Sequence, residues 1–544
     1  MNRPCVKNWT KSATIYQIYP RSYADSDGSG IGDLRGIIDR LDYLNDGTSD
    51  SLGIDAIWLS PVYPTPGRDF GYDVTDHTDI DPLFGDLALF DTLLSEAKRR
   101  GIRVLMDYIP NHTSDEHPWF RESRSSKENP KRDWYVWRDP APDGGPPNNW
   151  LSVFGGSAWE FDADTGQYYL HHHFPFQPDL NWRNAEVREA MLSVLRFWLD
   201  RGVSGFRTDA IYTLLEDPEF KDNPPNPDYR PGKDDPYLSL IHEYDLGHDG
   251  VYEAIGAMCG VLAEYDEAFM VSEAYVDLET LGRLYDACRN GRHMPLNFGL
   301  ISLPWDAGSY RDFVGRFDAS LEPHEWPNTV LGNHDRERIA DRVGRERARL
   351  LAIMQMTLRG MPFIYYGEEL GMRGILPVLH QRDPLEERVP GLGLGRDPER
   401  SPMQWDGSAH AGFTTGKPWL PVSSDFERYN IAAERKDPHS FFSLYRHLIW
   451  HRKKSVALLS GKYIELDADN PDIFAYERVS GNERVLVLLN FSERDSVASL
   501  DFPRACVVAS THMRKYGTCM DLRTGYTLRG YEGLVLTDQV DRFS

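Results

Sequence analysis

The sequence predicts an α/β protein built as a (β/α)8 barrel. Three observations carry that expectation: eight short β-rich apolar runs recur along the chain, helical stretches separate them, and several runs end in charge, where parallel α/β folds place their chemistry. The runs are Ile15–Tyr19, Ala56–Leu59, Val104–Tyr108, Val203–Phe206, Phe269–Val271, Asn297–Ile301, Thr329–Leu331 with the residues just after it, and Phe363–Tyr366. A doubly wound open sheet is the runner-up, since periodicity does not count closure.

Between the runs, Asp86–Arg100 reads as a helix. Asp86 can cap its start, Leu89, Leu93, Leu94 and Ala97 share a face, and Gly101 follows its end. Asn184–Asp200 is similar, with Val187, Met191, Val194, Leu195 and Trp198 as the inner stripe. The third and fourth runs lie far apart, and the stretch between them is rich in Pro, Gly, Trp and Asn, too long for a structureless connection. We therefore expect an inserted domain at 112–182, a barrel at 1–111 and 183–454, and a C-terminal antiparallel β-sandwich domain at 455–544. Lys462–Leu466, Ile473–Arg478 and Arg484–Phe491 read as strands of that last domain, the latter two joined at Ser480-Gly481-Asn482. The Gly- and Pro-dense stretch at about 371–402 is either a disordered link or a lid, and its place after the eighth run favours a lid.

The chain has 544 residues, 40% hydrophobic and 26% charged, ordinary values for a globular protein. Its 84 Asp and Glu against 60 Lys and Arg give a formal charge of −24, which repels a phosphate backbone, so nucleic acid is not an expected partner. Met1 to Tyr19 has no apolar core of signal-peptide length and no run reaches the ~20 apolar residues of a membrane helix, so the expectation is a cytoplasmic protein with no membrane partner, monomeric or homodimeric. Cys5, Cys259, Cys288, Cys506 and Cys519 are scattered, odd in number and never spaced C-x-x-C, so most are expected as buried thiols.

The chemistry gathers around Gly205-Phe206-Arg207-Thr208-Asp209-Ala210. Arg207 and Asp209 leave one face of an extended strand. Alone, that pair reads as a structural ion pair. Its company changes the reading, because Asp107-Tyr108-Ile109-Pro110-Asn111-His112 closes the third run, Glu273 the fifth and Asn333-His334-Asp335 the seventh. Unpaired like charges gathered at one barrel mouth raise their own pKa values at a cost in stability, which is a functional arrangement more often than a structural one. Two carboxylates in one pocket suit glycosidic cleavage, one attacking the anomeric carbon while the other protonates the departing oxygen. Asp209 beside Arg207 is expected to stay ionised, and Glu273, without a cation in its own motif, to hold a proton.

These four segments resemble the signature regions of the α-amylase family of retaining glycoside hydrolases. Gln177-Pro178-Asp179-Leu180-Asn181, Gly367-Glu368-Glu369 and Arg400-Ser401-Pro402-Met403-Gln404-Trp405 narrow the resemblance to the α-glucosidase and oligo-1,6-glucosidase subgroup, over most of Thr10 to Leu500. The resemblance implies Asp209 as nucleophile, Glu273 as acid/base and Asp335 as a third carboxylate holding sugar hydroxyls. It implies Arg207, His112, His334 and Gln177 as sugar contacts, with Asp69 and Tyr72 fixing the terminal ring and Arg400 pairing to Asp69. No cofactor is implied for catalysis. Asp25-Ser26-Asp27-Gly28-Ser29-Gly30-Ile31-Gly32-Asp33 alternates oxygen ligands like a calcium loop and resembles the family's metal loop, with Asp25, Asp27, Ser29, the Ile31 carbonyl and Asp33 as ligands. Ser29 stands where an acid is usual, which weakens the site and admits magnesium; a plain Gly-rich turn is the alternative, and no Glu completes an EF-hand.

Ala210 accompanies α-1,4 preference in the subgroup, whereas Val accompanies α-1,6. The implied activity is removal of terminal α-glucose from short oligosaccharides, α-1,4 or sucrose-type, through a glucosyl-Asp209 intermediate, with transfer to an acceptor competing with water. A sucrose or maltose isomerase is the second enzyme reading. A catalytically silent binding or assembly subunit is the reading from another class, and it sits poorly with three acids in place.

Overall fold

The computed structural model describes residues 9–323, 325–375, 382–512 and 516–538; Cys5 and the part of the expected lid at 376–381 lie outside them. Eight parallel strands form a (β/α)8 barrel. The first, Ile15–Ile18, is flanked by the second, Ala56–Leu59, and the eighth, Met361–Tyr365. From the second the ladder runs through Arg103–Tyr108, Gly205–Thr208, Phe269–Ser272 and His293–Pro295, and from the eighth to Asn328–Val330. At the remaining seam a side chain replaces the ladder: Asn328 accepts the Asn297 N–H at 2.8 Å and donates from Nδ2 to the Pro295 carbonyl at 2.8 Å.

The two-residue period of the strands sorts their side chains. Ile15, Ala56, Trp58, Leu105, Phe269 and Val271 fill the barrel interior, while Tyr16, Ile57, Val104, Met106, Phe206 and Met270 pack outward under the helices. By that parity Asp107, Arg207, Asp209 and Glu273 belong to the interior, at the C-terminal rim. Gly205 permits the closeness of the fourth and fifth strands, since a Cβ there would lie 1.9 Å from the Phe269 carbonyl oxygen.

The helices follow their signals. Leu87–Arg99 is capped by Asp86, which accepts the Leu89 N–H, and buries Phe90, Leu93 and Ala97; Leu89 and Leu94 flank that stripe. Ala185–Arg201 is capped by Asn184, buries Val187, Met191, Val194, Leu195 and Trp198, and ends at Gly202 in the left-handed region. The sixth strand is a correction. It is His293–Pro295, and the apolar run expected there ends in a turn of 3-10 helix, Gly299–Ile301. Leu300 and Ile301 are buried all the same, and a short buried run does not tell strand from helix.

Between the third and fourth strands an antiparallel sheet places Gln167–Leu170 between Trp137–Arg138 and Trp159–Asp162. It packs on an aromatic cluster of Trp150, Trp159 and Phe220. The C-terminal region forms a six-stranded sheet in which Ile473–Ser480 pairs antiparallel with Glu483–Asn490, the turn falling at Gly481 with φ 58°. One face of that sheet joins the barrel core through Phe474, Tyr476, Val485, Val487 and Leu489.

Four of the five cysteines are paired, not free: Cys259 with Cys288, and Cys506 with Cys519. Wide spacing in sequence hid both pairs, because the fold sets which thiols meet. No helix among the described residues is long and apolar enough to cross a membrane.

Candidate active site

Asp107 and Arg207 are register partners on adjacent parallel strands, so their side chains rise side by side. Beyond the last paired residues the ladder continues by single bonds, the Asp209 N–H to the Tyr108 carbonyl at 2.8 Å and the Glu273 N–H to the Thr208 carbonyl at 2.9 Å. These bonds hold Asp209 and Glu273 at one height. Arg207 then gathers three acids: Nη1 donates to Asp107 at 2.6 Å and to Asp209 at 2.6 Å, and Nη2 to Glu273 at 2.5 Å. Glu273, with no cation in its own segment, takes one from the neighbouring strand. Asp107 is fixed from behind by Trp58 Nε1 at 3.1 Å and the Tyr72 hydroxyl at 3.2 Å.

His334 links this group to a second one. Its ring stacks on Tyr72 with centroids 5.4 Å apart and planes 2° from parallel. The Gln17 amide nitrogen donates to Nδ1 at 2.8 Å, so the ring proton sits on Nε2, facing the Tyr72 oxygen at 2.6 Å and Asp335 at 3.0 Å. Arg400 donates to Asp335 at 2.7 Å and through Nε to the His334 carbonyl at 2.9 Å. The expected Arg400–Asp69 pair is not formed. Arg396 takes that place, donating to Asp69 at 2.8 Å and to Asp383 at 2.7 Å, while Gln177 donates to the other Asp69 oxygen at 2.9 Å. Arg400 is spent on Asp335, and Arg396 arrives from an irregular segment with no periodicity to announce it. His112 lies at the edge, its ring nitrogens facing the Asn111 side-chain oxygen at 3.1 Å and the Tyr72 carbonyl at 3.2 Å.

Electrostatics separates the acids. Burial pushes Glu273 up to about 8 and Asp209 up to about 6; Arg207 opposes both rises, Asp209 adds to that of Glu273, and Asp107 to that of Asp209. For Asp335 burial again favours the neutral form, but His334, Arg400 and Arg396 outweigh it and hold the carboxyl well below the usual range. Burial also raises Asp69 to about 6 against the pull of Arg396 and Arg400. One acid thus keeps a proton at neutral pH beside others that are ionised.

Several residues escaped the sequence reading. Trp58, Asp383 and Arg396 complete the two ionic groups, and Tyr275 stands at the mouth, 47% exposed, stacked on Phe298 at 4.4 Å and accepting from Asn333 at 3.2 Å. Tyr275 lies two residues past Glu273, a spacing that marked it as a neighbour. Glu368 and Glu369 do not reach the site; Glu369 accepts from the Tyr16 and Tyr43 hydroxyls at 2.7 and 2.6 Å inside the core. Ala210, next to Asp209, has φ 44°, which turns the chain sharply off the strand end.

At the loop after the first strand, carboxylate oxygens of Asp25, Asp27 and Asp33 lie within 4.8 Å of one another. Asp25 accepts the N–H groups of Asp27, Gly28 and Gly30 at 3.0, 2.9 and 2.7 Å and the Thr414 hydroxyl, and the Ser29 hydroxyl is 3.2 Å from the Ile31 carbonyl. An all-oxygen set of this kind fits calcium or magnesium.

Residues 17–461 match the family model of the α-amylase catalytic domain, and 463–532 that of the maltogenic amylase C-terminal domain. The chain belongs to the α-amylase family. It is 42% identical over 530 residues to an oligo-1,6-glucosidase of Parageobacillus thermoglucosidasius, covering 90% of this chain and 92% of the relative. It is 38% identical over 558 residues to an α-glucosidase of Culex pipiens, covering 98% and 92%. Among solved structures, the α-glucosyl transfer enzyme XgtA superposes with a TM-score of 0.90 at 37% identity, covering 98% of this chain and 100% of that one. Trehalulose synthase MutB of Pseudomonas mesoacidophila MX-45 superposes with a TM-score of 0.86 at 35% identity, covering 99% and 100%.

Proposed function

We propose that this α-amylase family member is a retaining, exo-acting α-glucosidase that releases terminal α-glucose from short oligosaccharides. The observation that carries the reading is Arg207 holding Asp209 and Glu273 in one pocket with their proton affinities apart, about 6 and about 8. Ionised Asp209 attacks the anomeric carbon as protonated Glu273 gives its proton to the departing glycosidic oxygen. The glycosidic C–O bond breaks and a glucosyl ester forms on Asp209. Glu273, now ionised, takes a proton from incoming water, which displaces Asp209 with net retention. Asp335 and His334 face the sugar hydroxyls, and the Asp69–Arg396–Asp383 group closes the far end, which favours removal of single units.

Water and an acceptor hydroxyl compete for the same ester, and Tyr275 at the mouth offers the departing sugar or an acceptor a stacking face. Likeness to a transfer enzyme and to a trehalulose synthase supports isomerisation as the second reading. Ala210 supports α-1,4 or sucrose-type over α-1,6 linkages, against the name of the bacterial relative. The Asp25 loop, with Ser29 and Ile31, holds a structural calcium or magnesium ion away from the chemistry.

The test is a panel of maltose, sucrose, trehalose, isomaltose and maltotriose with product identification, run beside Asp209→Asn. Free glucose is expected as the main product, fastest from maltose or sucrose, and the variant is expected to lose on the order of 10⁴-fold in kcat while staying folded. Rearranged disaccharide as the main product establishes the isomerase, comparable rates on isomaltose remove the Ala210 argument, and full activity of Asp209→Asn removes the nucleophile.

A further inference from the structure

The inserted domain carries a run of three histidines, His171-His172-His173, that neither reaction step uses. His173 faces His112, with ring centroids 4.8 Å apart. A backbone bridge sets His112 beside Asp179, and ligand atoms of His112, His173 and Asp179 all lie within 4.8 Å of one another.

Hydrogen bonding leaves this group short of donors. Both His112 ring nitrogens face oxygen acceptors, at 3.1 and 3.2 Å, and a neutral imidazole has one proton for two acceptors. The buried Nδ1 of His173 has no hydrogen-bond partner. The Asp179 carboxyl is oriented from behind by the ring and backbone N–H of His172, whose other ring nitrogen donates to the Asp245 carbonyl at 2.9 Å. Hydrogen-bond partners behind a ligating carboxylate play this role in metal sites.

We propose that His112, His173 and Asp179 bind one divalent transition-metal ion of the zinc class at the wall of the sugar pocket. Two imidazoles and a carboxylate are the donor set of zinc, cobalt(II) or nickel, and a poor one for calcium. Ligands of a tetrahedral ion with ~2.0–2.2 Å bonds stand roughly 3.3–3.5 Å apart, so the group closes on the ion by side-chain movements of about an ångström. A fourth position stays open to water. Because His112 is a sugar contact in the glucosidase reading, on which this consequence rests, the ion competes with glucose and inhibits.

Cobalt(II) added to the chelator-treated, dialysed full chain is expected to give a ligand-field absorption band that saturates at one ion per chain and is displaced by zinc. His173→Phe, which keeps the ring volume, and His173→Gln are both expected to weaken cobalt binding ~10-fold or more, while Asp27→Asn in the acidic loop leaves it unchanged. Zinc is expected to raise KM for p-nitrophenyl α-glucoside without changing kcat in the parent, and to lose that effect in His173→Phe. No saturable band in the parent, or parent-like binding by both folded His173 variants, overturns the site. Absence of turnover overturns the glucosidase reading alone, since the cobalt titration needs no substrate.

Discussion

Arg207 meets three carboxylates, so ionising all of them leaves an excess of negative charge in a pocket largely closed to water, and the most strongly destabilised anion keeps its proton. That acid is Glu273, and the consequence is readable in the pH dependence of kcat/KM. In the proposed reaction, Asp209 gains a proton below about 6 and can no longer attack, and above about 8 Glu273 loses the proton it would donate. A bell with limbs near those values is expected, belonging to the pair and not to either residue alone. Glu273→Gln is expected to drop kcat on the order of 10²–10⁴-fold and to abolish the alkaline limb. An alkaline limb persisting in that variant would assign the proton elsewhere. The placement of Asp209 and Glu273 just past strand ends was legible, since a local motif carries each. So was the order of their proton affinities, Asp209 below Glu273; what was not legible is that Arg207 bonds Glu273 as well, because that contact joins strands distant in sequence.

At the scale of elements, the irregular segment after the eighth strand reaches back over the barrel mouth. Phe174 of the inserted domain packs with Leu385 and Val389, and the same segment delivers Arg396 to Asp69 and Asp383. Arg396→Met is expected to raise KM for maltose ~10-fold or more with a smaller effect on kcat, because it leaves two buried carboxylates without their shared cation far from the bond being broken. An unchanged KM would mean the closed end does not bind the terminal ring. The Asp25 loop has its own test. Millimolar calcium is expected to raise the Tm of the parent and not of Asp27→Asn, by about 2.7 kcal/mol of stabilisation if the ion stands at a hundred times its Kd. Composition marked the segment after the eighth strand but not which of its arginines meets Asp69, since Arg396 and Arg400 are both polar, both buried and four residues apart.

Over the whole molecule, the C-terminal sheet is part of the barrel's core. Tyr476 shares a hydrogen bond with Thr357 at 2.6 Å, and Arg478 donates to the Thr357 and Gly461 carbonyls at 2.8 and 2.9 Å. Arg452 adds bonds to the Met356 and Leu358 carbonyls at 3.0 and 3.2 Å, so two arginines serve the carbonyls closing the helix Arg345–Thr357. A chain ending at Gly461 is expected to aggregate on size-exclusion chromatography, because it uncovers the apolar surface under Phe474, Val485, Val487 and Leu489. A soluble, active monomer would show the sheet to be dispensable.

The sequence by itself determined the barrel, the antiparallel tail and the gathering of Asp107, Asp209 and Glu273 at strand ends, because strand period, helix caps and strand-end motifs are local signals that each segment carries whole. The tertiary structure alone decided that Arg396 and not Arg400 meets Asp69, that His293–Pro295 and not the run after it is the sixth strand, and which cysteines pair. It also decided that Arg207 reaches Glu273 as well as Asp209. Each of these depends on which distant side chains share a desolvated space, and neither charge–charge energy nor burial is a property of a segment read alone.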